Sequence, residues 1–237
     1  GAVLETIASD DSGCVDPDAL AAMLNERVRL IALTWLPANG GLINPAAAIG
    51  RVARQHGIPY FVDGAQAVGQ VPIDVTEIGC DVLSGAGRKA LRGPRGTGLL
   101  YVRRDFLDQL TPAFVDTHSA PLGADGQPQL RADAARLESA ENSLALRCGL
   151  AQALQEALDI GLEAIRATID AKAQSLRAEI AAIPGITVLD QGRELSGLVS
   201  FNLAGREAAA VQRALAAQGI TIGSNGCLLY TSDAADD

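Results

Sequence analysis

Lys89 and Asp63 are the two side chains whose types and settings best suit chemistry. Lys89 lies just past a short apolar run, in Ser84-Gly85-Ala86-Gly87-Arg88-Lys89, and Asp63 ends another, Tyr60-Phe61-Val62-Asp63. Lysine is scarce: the chain has two lysines, Lys89 and Lys172, against seventeen arginines. Lys172 falls in a helical pattern with a polar face, which leaves Lys89 as the one lysine in a glycine-rich loop. A lysine amine can hold an aldehyde as a Schiff base. A carboxylate set against a pyridine nitrogen keeps that nitrogen protonated, so the ring can draw electrons from a reacting centre. The pair therefore suits pyridoxal phosphate (PLP) chemistry, with Lys89 as anchor and base. The plainer readings are a surface lysine and a helix cap, since Asp before Gly64-Ala65-Gln66 also fits an N-cap.

The two residues can act together only if neighbouring elements present them at one edge. Arg29–Leu33, Ile58–Val62, Asp81–Ser84 and Leu99–Val102 read as short buried strands. Asp16-Pro17 starts a helix whose apolar face is Leu20, Met23 and Leu24, and a second helix runs from Pro45 to His56, with His56 as its C-terminal cap. Such alternation predicts right-handed crossovers and a mainly parallel sheet. The C-terminal strand ends of such a sheet share one crevice. The loop Thr34 to Gly41 lies at the C-terminal end of the first of these strands, and Asn39 in it, before Gly40, reads as a turn residue. Gly64 to Gly69 reads as a helix start rich in small residues, and Gly1 to Ile7 alternates like a strand.

Further on, Asp105 to Leu110 reads as a brief helix, followed by a long irregular stretch from Thr111 to Ala135. Ser143 to Ile183 has helical spacing, with Gly161 as a break and Pro184-Gly185 as its end. Strands at Ile186–Leu189, Leu198–Leu203 and Ile220–Ile222, with a helix from Arg206 to Ala217, read as the start of a small α/β domain.

Asp63-Gly64-Ala65-Gln66, Ser84 to Lys89, Gly93-Pro94 and Gly96-Thr97-Gly98 together resemble the cofactor core of the class V aminotransferase family, in the PLP fold-type-I superfamily. That family includes cysteine desulfurases, selenocysteine lyases, kynureninases and C–S lyases of the ergothioneine pathway. The resemblance implies Lys89 as the Schiff-base lysine, Asp63 on the pyridine nitrogen, Gln66 on the phenolic oxygen, and Asn39 near the cofactor and the substrate carboxylate. It implies a PLP-dependent enzyme acting on a small-molecule amino acid, as a C–S lyase or an aminotransferase-like enzyme. The alternative within the family is a cysteine desulfurase with Cys227 as persulfide carrier. From another class, the alternative is a catalytically silent fragment or binding scaffold. Relatives are homodimers with the site at the interface. The chain departs from many of them at Ala86, where they carry Ser or Thr for the phosphate, and at Glu141-Asn142, where they carry Thr-Pro-Asn.

The fold class expected is α/β, a mainly parallel sheet flanked by helices, with the start of a small C-terminal α/β domain. The boundaries expected are a partial PLP-binding large domain over 1–142, a connecting helical region over 143–183, a partial small domain over 184–226, and a non-native tail over 227–237. On this reading the chain is a fragment of a longer enzyme.

Composition narrows the partners. A net charge of −9 argues against nucleic acid, whose phosphates need clustered Lys and Arg. No apolar run approaches the ~20 residues that span a bilayer. Cys14, Cys80, Cys148 and Cys227 are scattered without metal-ligand spacing, which reads as reduced thiols in a cytoplasmic protein with no metal site.

Overall fold

Short aliphatic runs form a four-stranded sheet in the structure, a computed structural model that describes residues 1–224. Strands β1 (Ile31–Thr34), β2 (Tyr60–Asp63) and β3 (Val82–Ala86) run parallel, and β4 (Gly98–Val102) closes one edge antiparallel to β3. The mainly parallel sheet expected from the sequence is therefore present. Its register sets Thr34 opposite Asp63, and Asp63 opposite Ser84, so the C-terminal strand ends are level.

Helices α1 (Pro17–Met23) and α2 (Ala46–Gln55) form where expected. Asp16 caps α1 by accepting from the Asp18 amide at 2.8 Å, and His56 caps the C-terminal end of α2. A short helix not foreseen, α3 (Val75–Ile78), is capped by Asp74, which accepts from the Thr76 and Glu77 amides. It packs so close to α2 that a Cβ on Gly50 would lie 1.9 Å from the Ile78 carbonyl oxygen. Leu20, Ile31, Leu33, Ile49, Tyr60, Val62 and Leu83 fill the core between these layers. Each such side chain contributes about 1.5–3 kcal/mol through burial.

Beyond β4, residues 104–109 form a 3₁₀ turn instead of an α-helix. The irregular stretch that follows is organised by the Asp116 carboxylate. It accepts from the Ala140 amide at 2.7 Å, the His118 and Ser119 amides at 2.9 and 3.0 Å, and the Ser119 hydroxyl at 3.1 Å. These donors, the Ala140 amide foremost, hold its pKa down to about 2. Helices α4 (Leu144–Ile160) and α5 (Leu162–Ala181) then meet at Gly161, whose φ of 89° breaks them as expected. Strands β5 (Ile186–Val188) and β6 (Phe201–Leu203) pair antiparallel, and α6 (Ala208–Ala216) follows.

Three expected elements do not form. Gly1 to Ile7 makes no strand, because alternation needs a partner ladder and the nearest pairing is a single Ser9–Val15 bridge. Ile220 to Ile222 makes no strand either, since it pairs with none of the described residues. Gly64 to Gly69 makes no helix but two successive turns: the Ala67 and Val68 amides donate to the Gly64 carbonyl, and those of Gln70 and Val71 to the Ala67 carbonyl. Gly69, at φ 93°, is outside helical space.

Candidate active site

Lys89 sits half-buried in the turn that follows β3. Burial pushes its amine below the ordinary lysine pKa, the Asp63 charge opposes that, and the neighbouring Arg88 charge adds to it. Asp63 is thus within electrostatic reach of Lys89, from the end of the adjacent strand. Its Oδ1 also accepts from the Ala65 amide at 2.9 Å, closing a local side-chain turn and not a helix cap, since turns and no helix follow. The Asp63 carbonyl accepts from the Trp35 amide at 3.0 Å, which ties the loop after β1 to the end of β2.

Backbone approach brings the two turns together. The Gly64 amide donates to the Ser84 carbonyl at 2.9 Å. A Cβ on Gly69 would come within 2.7 Å of the Leu91 nitrogen, so the turn carrying Gln66 rests directly on the turn carrying Lys89. The loop beyond Lys89 is pinned by Gly87 amide to Thr97 carbonyl at 2.9 Å and Gly93 amide to Gly87 carbonyl at 2.8 Å. Leu150 of α4 lies over Gly87 and Gly93. The Thr97 hydroxyl donates to the Pro94 carbonyl at 2.6 Å, which holds the loop in shape. Ala86, paired with Gly98 across β3 and β4, supplies no hydroxyl.

Gln66 is half-buried in its turn, and its carbonyl accepts from the Gln70 side-chain amide at 2.5 Å. Asn39 is half-buried in the loop after β1, ahead of Gly40 and Gly41, both at positive φ. Asn39, Asp63, Gln66 and Lys89 therefore share the C-terminal edge of the sheet. His118 does not join them through any residue described: its Nε2 lies 3.5 Å from Glu138 within the 111–142 segment. Cys80 is buried, and that burial pushes its thiol up to about 11, which rules out a ready thiolate. Cys227 lies outside the described residues. Among the described residues no cluster of His, Cys, Asp and Glu could hold a metal. No helix of the described residues is long and apolar enough to cross a membrane. A hollow of about 570 Å³, lined by Leu24, Arg29, His56 and Pro59 among others, opens where β1 and β2 begin, the opposite edge from the one where α/β sites form.

Three supports of this edge had little or no signal in sequence spacing. Asn44 is buried; its side-chain amide donates to the Thr34 carbonyl at 2.8 Å and its Oδ1 accepts from the Val15 amide at 2.9 Å. Gln70 joins the Gln66 carbonyl to the Gly197 amide, the latter bond at 3.1 Å. Arg177 and Asp190 form an ion pair at 2.7 Å behind the Asn39 loop. Only Asn44 left a trace, as an Asn-Pro pair at a helix start.

Comparison with known proteins agrees with this architecture. The family profile "Aminotransferase class-V" matches residues 1–228. A probable cysteine desulfurase of Mycolicibacterium paratuberculosis is 29% identical over 222 residues, which is 94% of this chain and 32% of that protein. A cysteine desulfurase of Salmonella agona is 31% identical over 227 residues, 94% of this chain and 54% of its own length. The cystine C–S lyase C-DES, solved with its reaction product cysteine persulfide, superposes with a TM-score of 0.80 at 29% identity, covering 87% of this chain and 56% of that one. A C-DES variant solved with glycine covalently linked to its PLP cofactor gives 0.82 at 28% identity, covering 92% and 57%. The chain thus spans between about a third and somewhat over half of these relatives.

Proposed function

The chain belongs to the class V aminotransferase family, and from that membership we propose that its parent protein is a PLP-dependent enzyme that breaks a carbon–sulfur bond of an amino-acid substrate, or acts on the substrate in an aminotransferase-like way. The observation that carries this reading is the Lys89 amine, made less basic by burial and lying within reach of the Asp63 charge at the end of the neighbouring strand. The donor set fits the cofactor: an amine for its aldehyde, a carboxylate for its ring nitrogen, and side-chain amides at Gln66 and Asn39. When bound, PLP supplies an electron sink for the substrate's α-carbon.

The chain's own groups do the rest. A depressed pKa leaves a larger share of Lys89 neutral near pH 7, so Nζ can take a proton from the substrate and return it. Asp63 holds a proton on a ring nitrogen placed against it. Gln66 would donate its amide N–H to the cofactor's phenolic oxygen, and Asn39 would meet the substrate-carboxylate side. Neither Ala86 nor Thr97 offers a hydroxyl proton to a phosphate, since Thr97 donates its own to Pro94. The relatives named cysteine desulfurases favour desulfuration as the second reading, with Cys227 as sulfur acceptor. We place the whole protein in the cytoplasm as a homodimer, with a large domain to residue 142, connecting helices to 183 and a small domain beyond. Exposed Phe114, Leu144 and Leu158 supply apolar surface for such an interface.

The test is borohydride fixation of PLP on the purified chain. The parent should gain a visible absorbance band, lose it on reduction and retain about one cofactor per chain at the peptide holding Lys89. Lys89→Ala should retain none and fall at least about a hundredfold in any turnover. A label kept by Lys89→Ala, or absent from a longer chain that includes the family's preceding segment, would overturn the reading, and the latter result would favour a silent scaffold. With cysteine as substrate, pyruvate marks elimination and alanine marks desulfuration.

A further inference from the structure

The connection between β5 and β6, residues 189–200, reaches back across the fold and lies along the loop that carries Asn39. The Gln191 amide donates to the Gly40 carbonyl at 2.8 Å, the Ser196 amide to the Gly41 carbonyl at 2.7 Å, and the Ile43 amide to the Glu194 carbonyl at 3.0 Å. In return the Gly40 amide donates to the Ser200 hydroxyl at 3.2 Å. The approach is close: a Cβ on Gly41 would lie 2.7 Å from the Asp190 carboxyl carbon.

The same connection also holds the other candidate loop. The Gly197 amide donates to Gln70 Oε1 at 3.1 Å, and the Gln70 side-chain amide donates to the Gln66 carbonyl at 2.5 Å. Gln70 is buried, so each of its amide ends is spent on one partner. The connection itself is held in shape from behind. Arg177 of α5 pairs with Asp190 and donates from Nη2 to the Ser196 and Leu198 carbonyls, both at 2.7 Å, while Asp190 Oδ1 accepts from the Ser200 amide at 2.8 Å.

We propose that residues 189–200 are a clasp that sets the Asn39 loop and the Gln66 turn relative to each other, with Gln70 and Ser200 as its two positioning residues. This rests on the reading of Asn39 and Gln66 as cofactor-facing. Neither Gln70 nor Ser200 need touch the cofactor. Each acts through the backbone of the loop it holds, so a disturbance at either end should reach the other through the shared connection.

Hydrogen exchange on the cofactor-free chain tests the clasp directly. Gln70→Leu should speed exchange at the Gly197 amide and also, across the clasp, at Gly40. Ser200→Ala, the milder change, should speed exchange at Gly40 and also at residues 196–198. Titration with PLP, followed by quenching of Trp35, the chain's single tryptophan, should show half-saturation at about fivefold higher PLP in Ser200→Ala, the cost of one lost hydrogen bond, and at least as large a shift in Gln70→Leu, which loses two. Exchange confined to the mutated end, or unchanged half-saturation, would overturn the proposal. Failure of the parent chain and its longer form to take up PLP would strike the cofactor reading instead, while the exchange result would still decide whether the two loops are coupled.

Discussion

The Lys89 turn and the 189–200 clasp serve the same edge of the sheet by opposite means. The turn is local. Its bonds join residues close in sequence, Gly64 to Ser84 and Gly87 to Thr97, and its close contacts are made at glycines. The clasp is long-range, and its centre is an ion pair whose Asp190 side chain is 2% exposed. The difference teaches that the Lys89 turn is set by chain-local geometry, while the spacing of the Asn39 loop and the Gln66 turn is set by distant polar side chains.

The contrast can be tested by unfolding in urea. Arg177→Met leaves the Asp190 carboxylate buried without its partner and removes two carbonyl bonds, which should cost about 3–5 kcal/mol. Lys89→Ala, at a half-buried group in a turn, should cost less than about 1 kcal/mol in the same experiment while ending cofactor fixation. A small loss at Arg177 would remove the distinction between the two regions.

Gly87→Ala probes the local side. Its Cβ would stand 2.2 Å from the Thr97 hydroxyl and 2.9 Å from Leu150, so the turn must shift. About 1–3 kcal/mol of stability should go, read by the same unfolding midpoints. An unchanged midpoint would mean that the turn is looser than its bonds imply.

Asp116 offers a third case, a loop built around one carboxylate. Its folded pKa, held at about 2, lies below the ordinary value of ~3.9. The stabilising contribution is therefore complete above pH 4 and is lost as pH falls from about 4 to 2. Limited proteolysis with an acid-active protease should find residues 111–142 increasingly cut over that window, and Asp116→Asn should be cut at pH 5 as well. A flat pH response in the parent would count against the carboxylate as organiser.

The smallest effect is a displacement along the pH axis. Asp63→Asn removes the charge that raises the Lys89 pKa, so amine labelling of Lys89 should begin at lower pH than in the parent. Arg88→Gln removes a charge that lowers it, so labelling should begin at higher pH. Shifts of the same sign in both variants would contradict the electrostatic account.

Much of the turn was legible in the sequence, because apolar runs, glycine spacing and one scarce lysine encode it within a continuous stretch. Asp63 and Lys89 were found at the strand ends where the alternation of elements put them. The clasp was not legible. Arg177 reads as one more polar position on a helix, and Asp190 and Gln70 as loop and turn polars, until the fold brings them together. Gly1 to Ile7 failed in the reverse sense: its alternation is real, but no strand among the described residues completes a ladder. The turns from Gly64 to Gly69 were mistaken for a helix because small residues suit both, and only the positive φ at Gly69 decides.

The span of the clasp contacts has a consequence in time. Gly40 and Ser200 are 160 residues apart, and Gln70 and Gly197 are 127 apart. Contacts across such separations form late, since long loops must close first. During synthesis at ~5–20 residues per second, on the order of ten seconds separate the emergence of Lys89 from that of its distant fastener. The nascent chain thus presents Lys89 before the loops that flank it can be seated, and on the proposed reading cofactor loading would belong to the end of biogenesis.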